Sequence, residues 1–423
     1  MPLPVRHLTV LQHWDCHAGG SCCKEYPVAV TEAERTRIEE QHWEREPDYK
    51  GVALFQVRGR WANQQVELSR RPDGSCVFLS EQGRCRIHEK YGPEGKPLPC
   101  RLFPFVLVPA GDHWRVGLRF ACPSAAASKG RPITQYDSDL ETFASLLAER
   151  EGLGNKPTTA DIPPPPLRRG QTVPWPDLLQ FVKTIVDILR EPGQRLERRL
   201  RKCLTLDRLC RHARFEKISG KRLEDFLHLV AAGLDVETPA DPTAMPAPSW
   251  VGRVLFRQSV ALFARKDQGP DRGIAAHGRR ALFSAAWQFA RGRGPVPRVH
   301  ARMPEATFEQ VEVLRRPYSL EVESILERYY LTKVESTQFC GPTNFNLPFW
   351  DGFEMLAVTY PVICWLVRLF ADLPPVEATL RAVSIVDDHF GFNPVLGSRR
   401  QRFAFRILAR RGELERLIAW YGR

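Results

Sequence analysis

The chain has 423 residues, of which 43% are hydrophobic and 26% are charged, an ordinary balance for a globular protein of two or three domains. A chain of this length can bury a sizeable core, which excludes a miniature domain that folds only around its metal. The net charge of +12 allows an anionic partner, although solvated arginines on helices explain such an excess more often. No helix-turn-helix, RNA-recognition or zinc-finger signature supports a nucleic-acid site.

The N-terminal sequence MPLPVRHLTVLQHWDC has no apolar segment of secretory-signal length. The most apolar run, residues 356–370, includes Pro361 and Arg368 and is too short to cross a bilayer. We therefore expect a cytoplasmic protein without a transmembrane segment. Thiols stay reduced in the cytoplasm, so clustered cysteines indicate metal binding or redox chemistry rather than disulfides.

The N-terminal part is predicted to be irregular, with a few regular elements. Thr31 precedes an amphipathic stretch and has Glu34 three residues later, which predicts a capping box at the start of a helix. Residues 52–58, 65–69 and 114–120 have the composition and alternation of short strands.

Seven of the 11 cysteines lie within the first 125 residues, in the pattern C-x5-CC, a gap of some fifty residues, then C-x8-C-x14-C-x21-C. Thiolates are soft ligands that favour zinc, copper(I) or iron–sulfur clusters, and four of them complete a tetrahedral zinc site or hold one [4Fe–4S] cluster. Because adjacent side chains diverge, a CC pair can serve metal only in a tightly turned loop or at two neighbouring centres. The predicted metal ligands are Cys16, Cys22, Cys23, Cys76, Cys85, Cys100 and Cys122.

The remaining chain is predicted to be a helical domain behind a linker. Residues 157–176 are proline-rich, and the four consecutive prolines 163–166 cannot join a helix or a central strand. Apolar residues then recur at helical spacing, with Asp177 as a candidate N-cap of the first helix. The helical stretches are residues 177–189, 223–232, 250–264, 275–291, 353–370 and 402–421.

Some residues outside the main pattern also have a bearing on metal binding. His17 and His88 adjoin predicted ligands, and Arg84 and Arg101 could offset thiolate charge, although an ordinary surface role is at least as common for each. Cys203 and Cys210 share a helix face and are predicted to be core residues. Cys340 and Cys364 are also predicted to be structural, and residues 387–389 (DDH) would not converge on one face of a helix.

The cysteine segments resemble the YkgJ-type cysteine-cluster family, whose members are described as zinc- or iron-chelating proteins. The matching stretches are CHAGGSCCKEYPVAVTEAE (16–34), GSCVFLSEQGRCRIHEKYG (74–92), PCRLFPF (99–105) and ACPSAA (121–126). In the first motif of the family a second cysteine occupies the position of Gly19. Seven cysteines therefore remain, and a second four-ligand site would need His17, His88, Asp15 or water to complete it. Within the family the chain is most similar to the flagellin lysine N-methylase (FliB) branch, but no S-adenosylmethionine motif of the Rossmann or radical type is present.

Together these features predict an α+β, mostly α protein. It would comprise a cysteine-cluster metal-binding module (1–135), a connecting helix (136–156), a proline-rich linker (157–176) and an all-helical domain (177–423). The first function hypothesis is metal binding, with an iron–sulfur cluster ahead of zinc because the thiolates exceed four. The resemblance implies a second, a protein lysine N-methylase that uses S-adenosylmethionine on a protein substrate. The third is a redox or interaction protein that binds a partner through its basic helical half. The sequence assigns no catalytic residue.

Overall fold

The computed structural model describes residues 4–59, 64–150, 162–211, 213–267, 269, 271–313 and 319–423. Small sheets occur near the N-terminus and helices form the rest, so the predicted α+β, mostly α fold class is confirmed. The strands are β1 (Val5–Arg6), β2 (His13–Trp14), β3 (Phe55–Arg58), β4 (Gln65–Leu68), β5 (Phe105–Ala110), β6 (His113–Leu118) and β7 (Arg131–Pro132).

The strands form three small sheets. The first has the order β1-β6-β5, with β1 parallel and β5 antiparallel to the central β6. The others are the antiparallel pairs β2–β7 and β3–β4. Two of the three predicted strands are present in shortened form as β3 and β4, and the third is present as β6, which begins one residue earlier and ends two residues earlier than predicted. The strand β5 was not predicted.

Six helices accompany these sheets: α1 (Ser21–Glu25), α2 (Glu32–Glu39), α3 (Arg86–Tyr91), α4 (Leu98–Leu102), α5 (Pro123–Ala126) and α6 (Asp137–Arg150). The predicted capping box opens α2. The Thr31 hydroxyl accepts a hydrogen bond from the Glu34 amide at 3.3 Å, and the Glu34 carboxylate accepts one from the Thr31 amide at 2.8 Å. Each partner satisfies an amide that the first turn leaves unbonded.

The rest of the described chain is helical. The helices are α7 (Trp175–Leu189), α8 (Leu196–Cys210), α9 (Lys221–Glu237), α10 (Trp250–Ala264), α11 (Arg279–Arg291), α12 (Phe308–Val313), α13 (Leu320–Glu335), α14 (Phe349–Leu369), α15 (Pro375–His389), α16 (Arg399–Arg410) and α17 (Glu413–Tyr421).

Two local predictions in the helical part are wrong. Residues 402–421 form two helices, because Gly412 adopts the left-handed conformation (φ 65°) and precedes the first turn of α17. Asp177 does not cap α7, since the cap is Pro174 and the buried Asp177 side chain instead accepts a hydrogen bond from the Gly220 amide at 2.9 Å.

Helix α14 is the centre of the helical part and packs against α15, α16 and α17 among others. Within the described residues it is the one helix long and apolar enough to cross a membrane by length and composition, and 94% of its most apolar window is buried inside the protein. Burial on all sides explains its nearly continuous apolar sequence without a bilayer.

One large hydrophobic core extends from Leu98 to Tyr421 and includes residues of β5, β6 and the helices. The proline-rich segment contacts this core, since the Pro166 carbonyl accepts a hydrogen bond from the Phe349 amide at 2.8 Å and Leu167 is fully buried. The domain boundaries at 135, 156 and 176 stay predictions, and residues 151–161, the end of the connecting helix and the start of the linker, lie outside the described residues.

A second, smaller core lies under the cysteine segments. It consists of Ile38, Trp43, Tyr49, Leu68, Val77, Phe78 and Ile87, and the side chains of Cys76 and Cys85 pack against it. The loops that carry these two cysteines therefore rest on a rigid aromatic base, in which the rings of Trp43 and Phe78 have centroids 5.1 Å apart.

Candidate metal centre

The seven predicted ligands come from separate short elements of residues 16–122. Cys16 precedes α1, Cys22 and Cys23 lie within α1, Cys76 follows β4, Cys85 immediately precedes α3, Cys100 lies in α4 and Cys122 immediately precedes α5. All seven are free thiols; Cys16 is exposed and the other six are half-buried. The four remaining cysteines, Cys203, Cys210, Cys340 and Cys364, are buried in the helical core, as predicted.

The adjacent pair Cys22 and Cys23 occupies a single tight helical turn. Their sulfur atoms lie 3.9 Å apart, so this turn keeps both thiols in one region instead of letting them diverge. The contact with the Cys23 thiol, together with burial, raises the pKa of Cys22 well above its usual value. A backbone hydrogen bond joins this turn to the segment of Cys76, since the Cys76 amide donates to the Cys23 carbonyl at 2.7 Å.

The thiols of Cys76, Cys85 and Cys100 lie within electrostatic reach of one another, and that of Cys100 also interacts with Cys22. Burial raises the pKa of Cys76 to about 11, and the neighbouring Cys85 thiol acts in the same direction. Burial also raises the pKa of Cys100 well above its usual value, and the Cys76, Cys85 and Cys22 thiols add to that effect. Thiolates this close together would repel one another, and a bound soft cation would relieve that repulsion.

A turn at Gly83 holds the segment before Cys85 against the loop between Cys16 and Cys22. Gly83 has φ 77°, and a Cβ atom at this position would lie 2.3 Å from the Ala18 carbonyl oxygen. Only glycine fits both the left-handed backbone and this close approach. The turn before Cys85 therefore fixes the position of the loop between Cys16 and Cys22.

Cys122 and Cys16 lie toward the outside of this group. Burial raises the pKa of Cys122, with a smaller contribution from the Cys22 thiol. Cys16 is exposed in the loop before α1. The structure thus brings Cys22, Cys23 and three thiols from other segments into one region, with Cys122 at its margin.

This region is not a completed ligand shell. Among the residues that the structure describes, no group of three or more His, Cys, Asp or Glu side chains is placed closely enough to hold a metal ion. The chemistry of the donors fits zinc or iron, because they are soft, partly buried and mutually repulsive on ionisation. The assignment of the seven cysteines as ligands stays a prediction.

The other candidate ligands have contacts of their own. The His17 ring lies 2.9 Å from the Asp15 carbonyl oxygen and 3.1 Å from the Ser124 hydroxyl, and its side chain is exposed. The Asp15 carboxylate accepts hydrogen bonds from the Tyr136 hydroxyl and the Arg131 amide. His88 lies within α3 and its side chain is exposed. None of these contacts directs an imidazole or carboxylate toward the thiols.

Two other cations, Arg70 and Lys96, compensate charge at the thiols, and no local sequence pattern indicates this role for them. Arg70 donates hydrogen bonds to the Lys24 and Gly74 carbonyls at 2.9 and 2.7 Å and thereby joins the segments of Cys23 and Cys76. Burial lowers the pKa of Arg70, whereas the thiolate charges of Cys76 and Cys23 act to raise it. Lys96 partly opposes the rise in the pKa values of Cys22 and Cys100.

The two arginines that the sequence suggested for this role are bonded elsewhere. Arg101 pairs with Glu94 at 2.7 Å and lies over the Phe143 ring. Arg84 pairs with Glu89 at 3.8 Å on the surface. Both arginines adjoin a cysteine in sequence, but their side chains are committed to these carboxylates.

The end of α15 contacts the end of α1 through buried charges. The Tyr26 hydroxyl donates to the Asp388 carboxylate at 2.6 Å, and Lys266 is bonded to both Asp388 and Glu25. Although burial opposes ionisation, Lys266 and the Tyr26 hydrogen bond hold the pKa of Asp388 at about 2. Asp388 therefore joins the helical part to the segment that carries Cys22 and Cys23.

Comparison with known proteins places the cysteine segments in a described domain. Residues 15–124 match the family model "CxxCxxCC: Putative zinc- or iron-chelating domain". The match includes all seven cysteines of the N-terminal part and none of the four core cysteines. No curated protein and no solved structure matches the chain. The methylase branch, S-adenosylmethionine, a protein substrate and a cytoplasmic location stay predictions.

Proposed function

We propose that the protein holds an iron–sulfur cluster through its N-terminal thiolates, on the premise that residues 15–124 match the family model of a zinc- or iron-chelating domain. The observation that carries the proposal is the proximity of thiols from separate segments around Cys100. Burial raises the pKa of Cys100, and the nearby Cys76, Cys85 and Cys22 thiols add to that rise. Zinc is the alternative metal for the same thiols.

The donor set favours iron–sulfur chemistry over a structural zinc site. The region offers five sulfur donors, with a sixth, Cys122, at its margin, and the adjacent candidates His17 and His88 are turned to other contacts or to solvent. A structural zinc ion needs four ligands, usually in two close pairs, whereas a sulfide-bridged cluster accommodates thiolates that are spread over a larger volume.

Binding would draw the thiols together. Because no three described side chains already form a metal-binding group, we infer that cysteine side chains rotate toward a common centre as the protons leave. Arg70 and Lys96 would then lie beside thiolates and partly offset their negative charge.

The direct test is anaerobic purification of the full chain, followed by iron, zinc and acid-labile sulfide analysis and a visible spectrum. We expect iron and sulfide in matching amounts and broad visible absorbance that dithionite bleaches. Stoichiometric zinc with a featureless visible spectrum would show that the thiols hold zinc instead of a cluster. Absence of both metals after growth with each would overturn the proposal.

Cysteine variants separate ligands from core residues. Cys100→Ser and Cys22→Ser are expected to lose most of the bound metal, because serine is a poor ligand for a soft cation. The matched control is Cys340→Ala, which removes a thiol buried in the helical core. Equal metal loss from Cys340→Ala and Cys100→Ser would show that the metal depends on overall stability rather than on the N-terminal thiols.

A further inference from the structure

Helix α11 presents an unusual row of side chains to solvent. Positions 279, 283, 287 and 291 are four residues apart, so Arg279, Phe283, Trp287 and Arg291 follow one another along a single strip of the helix. All four are exposed, with 77% of Phe283 and 66% of Trp287 accessible to solvent. We call this strip the α11 outer row.

The opposite face of α11 is anchored in the core. Phe289 is fully buried, and its ring packs edge-on against Phe308 with centroids 5.3 Å apart. The Gln258 side chain of α10 donates a hydrogen bond to the Ala286 carbonyl at 2.6 Å. The helix is therefore rigidly held, and the exposure of its two large aromatic rings does not result from a frayed end.

The surroundings of the α11 outer row are strongly basic. Residues 272–304 contain seven arginines and no aspartate or glutamate. Among the acidic side chains near this stretch, Asp271 pairs with Arg302, Glu309 accepts a hydrogen bond from the Gly294 amide, and Glu305 is exposed.

We propose that the α11 outer row docks the protein on an anionic lipid surface. Aromatic rings are favoured at the depth of lipid headgroups, and arginines beside them bind the phosphates. The rings of Phe283 and Trp287 are separated by about 6 Å along the helix axis and flanked at both ends by arginine, so both contacts form when the helix lies flat on the surface.

Charge and shape favour this occupant over two others. A second copy of the chain would bring two arginine rows together, and like charges would oppose the contact. A nucleic-acid duplex would bind the arginines but offers no apolar layer for two adjacent large rings. A lipid surface satisfies both the rings and the cations.

The test measures flotation of the full chain with vesicles. One preparation is pure phosphatidylcholine, and in the other phosphatidylglycerol replaces one third of the lipid. We expect partitioning to the anionic vesicles and little to the neutral ones. The double variant Phe283→Ser/Trp287→Ser should lower the partition coefficient about tenfold. Arg291→Glu, which changes the local charge by two, should lower it about thirtyfold.

Matched controls come from α9, which exposes apolar residues without an arginine row. Leu229→Ser/Val236→Ser and Arg222→Glu change exposed residues of the same kinds and should leave partitioning unchanged. Equal losses from the α9 and α11 variants would overturn the proposal, as would no binding to anionic vesicles. Duplex DNA binding or dimerisation that disappears in the α11 variants, without vesicle binding, would assign the row to a different partner and also overturn it.

Discussion

Removal of one partner from the buried Lys333–Asp387 ion pair should destabilise the protein severely. The two charged atoms lie 2.6 Å apart, and their side chains are 2% and 0% exposed. Lys333 also donates hydrogen bonds to the Leu118 carbonyl and the Gln338 side chain, at 3.1 and 2.7 Å. Asp387 accepts a hydrogen bond from the Ala121 amide at 3.1 Å. The pair thus joins α13, α15 and the chain that follows β6.

The expected magnitude follows from this burial. Lys333→Met leaves the Asp387 carboxylate without its cation in a low-dielectric site, which costs about 3–5 kcal/mol of unfolding free energy. Asp387→Ala leaves the lysine uncompensated and also deprives the Ala121 amide of its acceptor, which adds about 1 kcal/mol. The double variant Lys333→Met/Asp387→Leu removes both charges, and its cost should stay within about 2 kcal/mol.

Urea denaturation of the metal-free variants measures these differences. The control is Lys183→Met, which breaks an exposed pair with Asp187 on α7 and should cost about 0.5 kcal/mol or less. The reasoning would be refuted if Lys333→Met cost no more than Lys183→Met, or if the double variant lost the sum of the two single losses. Either result would mean that the charges are solvated or that burial carries no penalty here.

Three further predictions concern pH, the cysteine loops and a helix start. Burial lowers the pKa values of His300 and His389 to about 4, so the unfolded chain binds protons first as the pH falls below 6.5. Stability is then complete above pH 6.5 and should fall by roughly 2 kcal/mol per histidine by pH 5, measured by urea denaturation across this range; a flat profile, or one unaffected by His300→Gln, would contradict the assignment. Gly83→Ala places a Cβ against the Ala18 carbonyl and should cost about 2 kcal/mol and weaken metal binding, read by unfolding and metal analysis; wild-type values for both would show that the two loops are not fixed together. Thr31→Ala removes the cap of α2 and should cost about 1 kcal/mol, with Thr31→Ser as the control that retains the hydroxyl; equal losses in the two variants would reject the capping role.

The regular elements with strong local signals were predictable. The capping box at Thr31 is a pattern of backbone and side-chain hydrogen bonds within four residues. Helix α10 begins and ends at the residues that its apolar period predicted. The strand β5 was missed because Pro109 and a continuous apolar run obscure any alternation. Pro109 is tolerated because β5 is an edge strand. A residue without an N–H group costs no ladder hydrogen bond on the side of the strand that has no neighbour.

The cysteine region was predictable as a set of residues but not as a geometry. The number and spacing of thiols indicated metal chemistry, and the family match covers the same segment. Their grouping around Cys100 depends on the second core and on the close contact of Gly83 with Ala18. Arg70 and Lys96 escaped notice because their roles arise from contacts across loops and leave no local pattern.

Local sequence was enough to predict the helical period, the capping signals and the soft donor atoms, because each depends on neighbours within a few residues. Three features required the folded chain: which thiols approach one another, which cations accompany them, and the pairing of Asp387 with Lys333 in the core. These are contacts between residues far apart in the chain, whose energies depend on burial, and burial is a property of the folded whole.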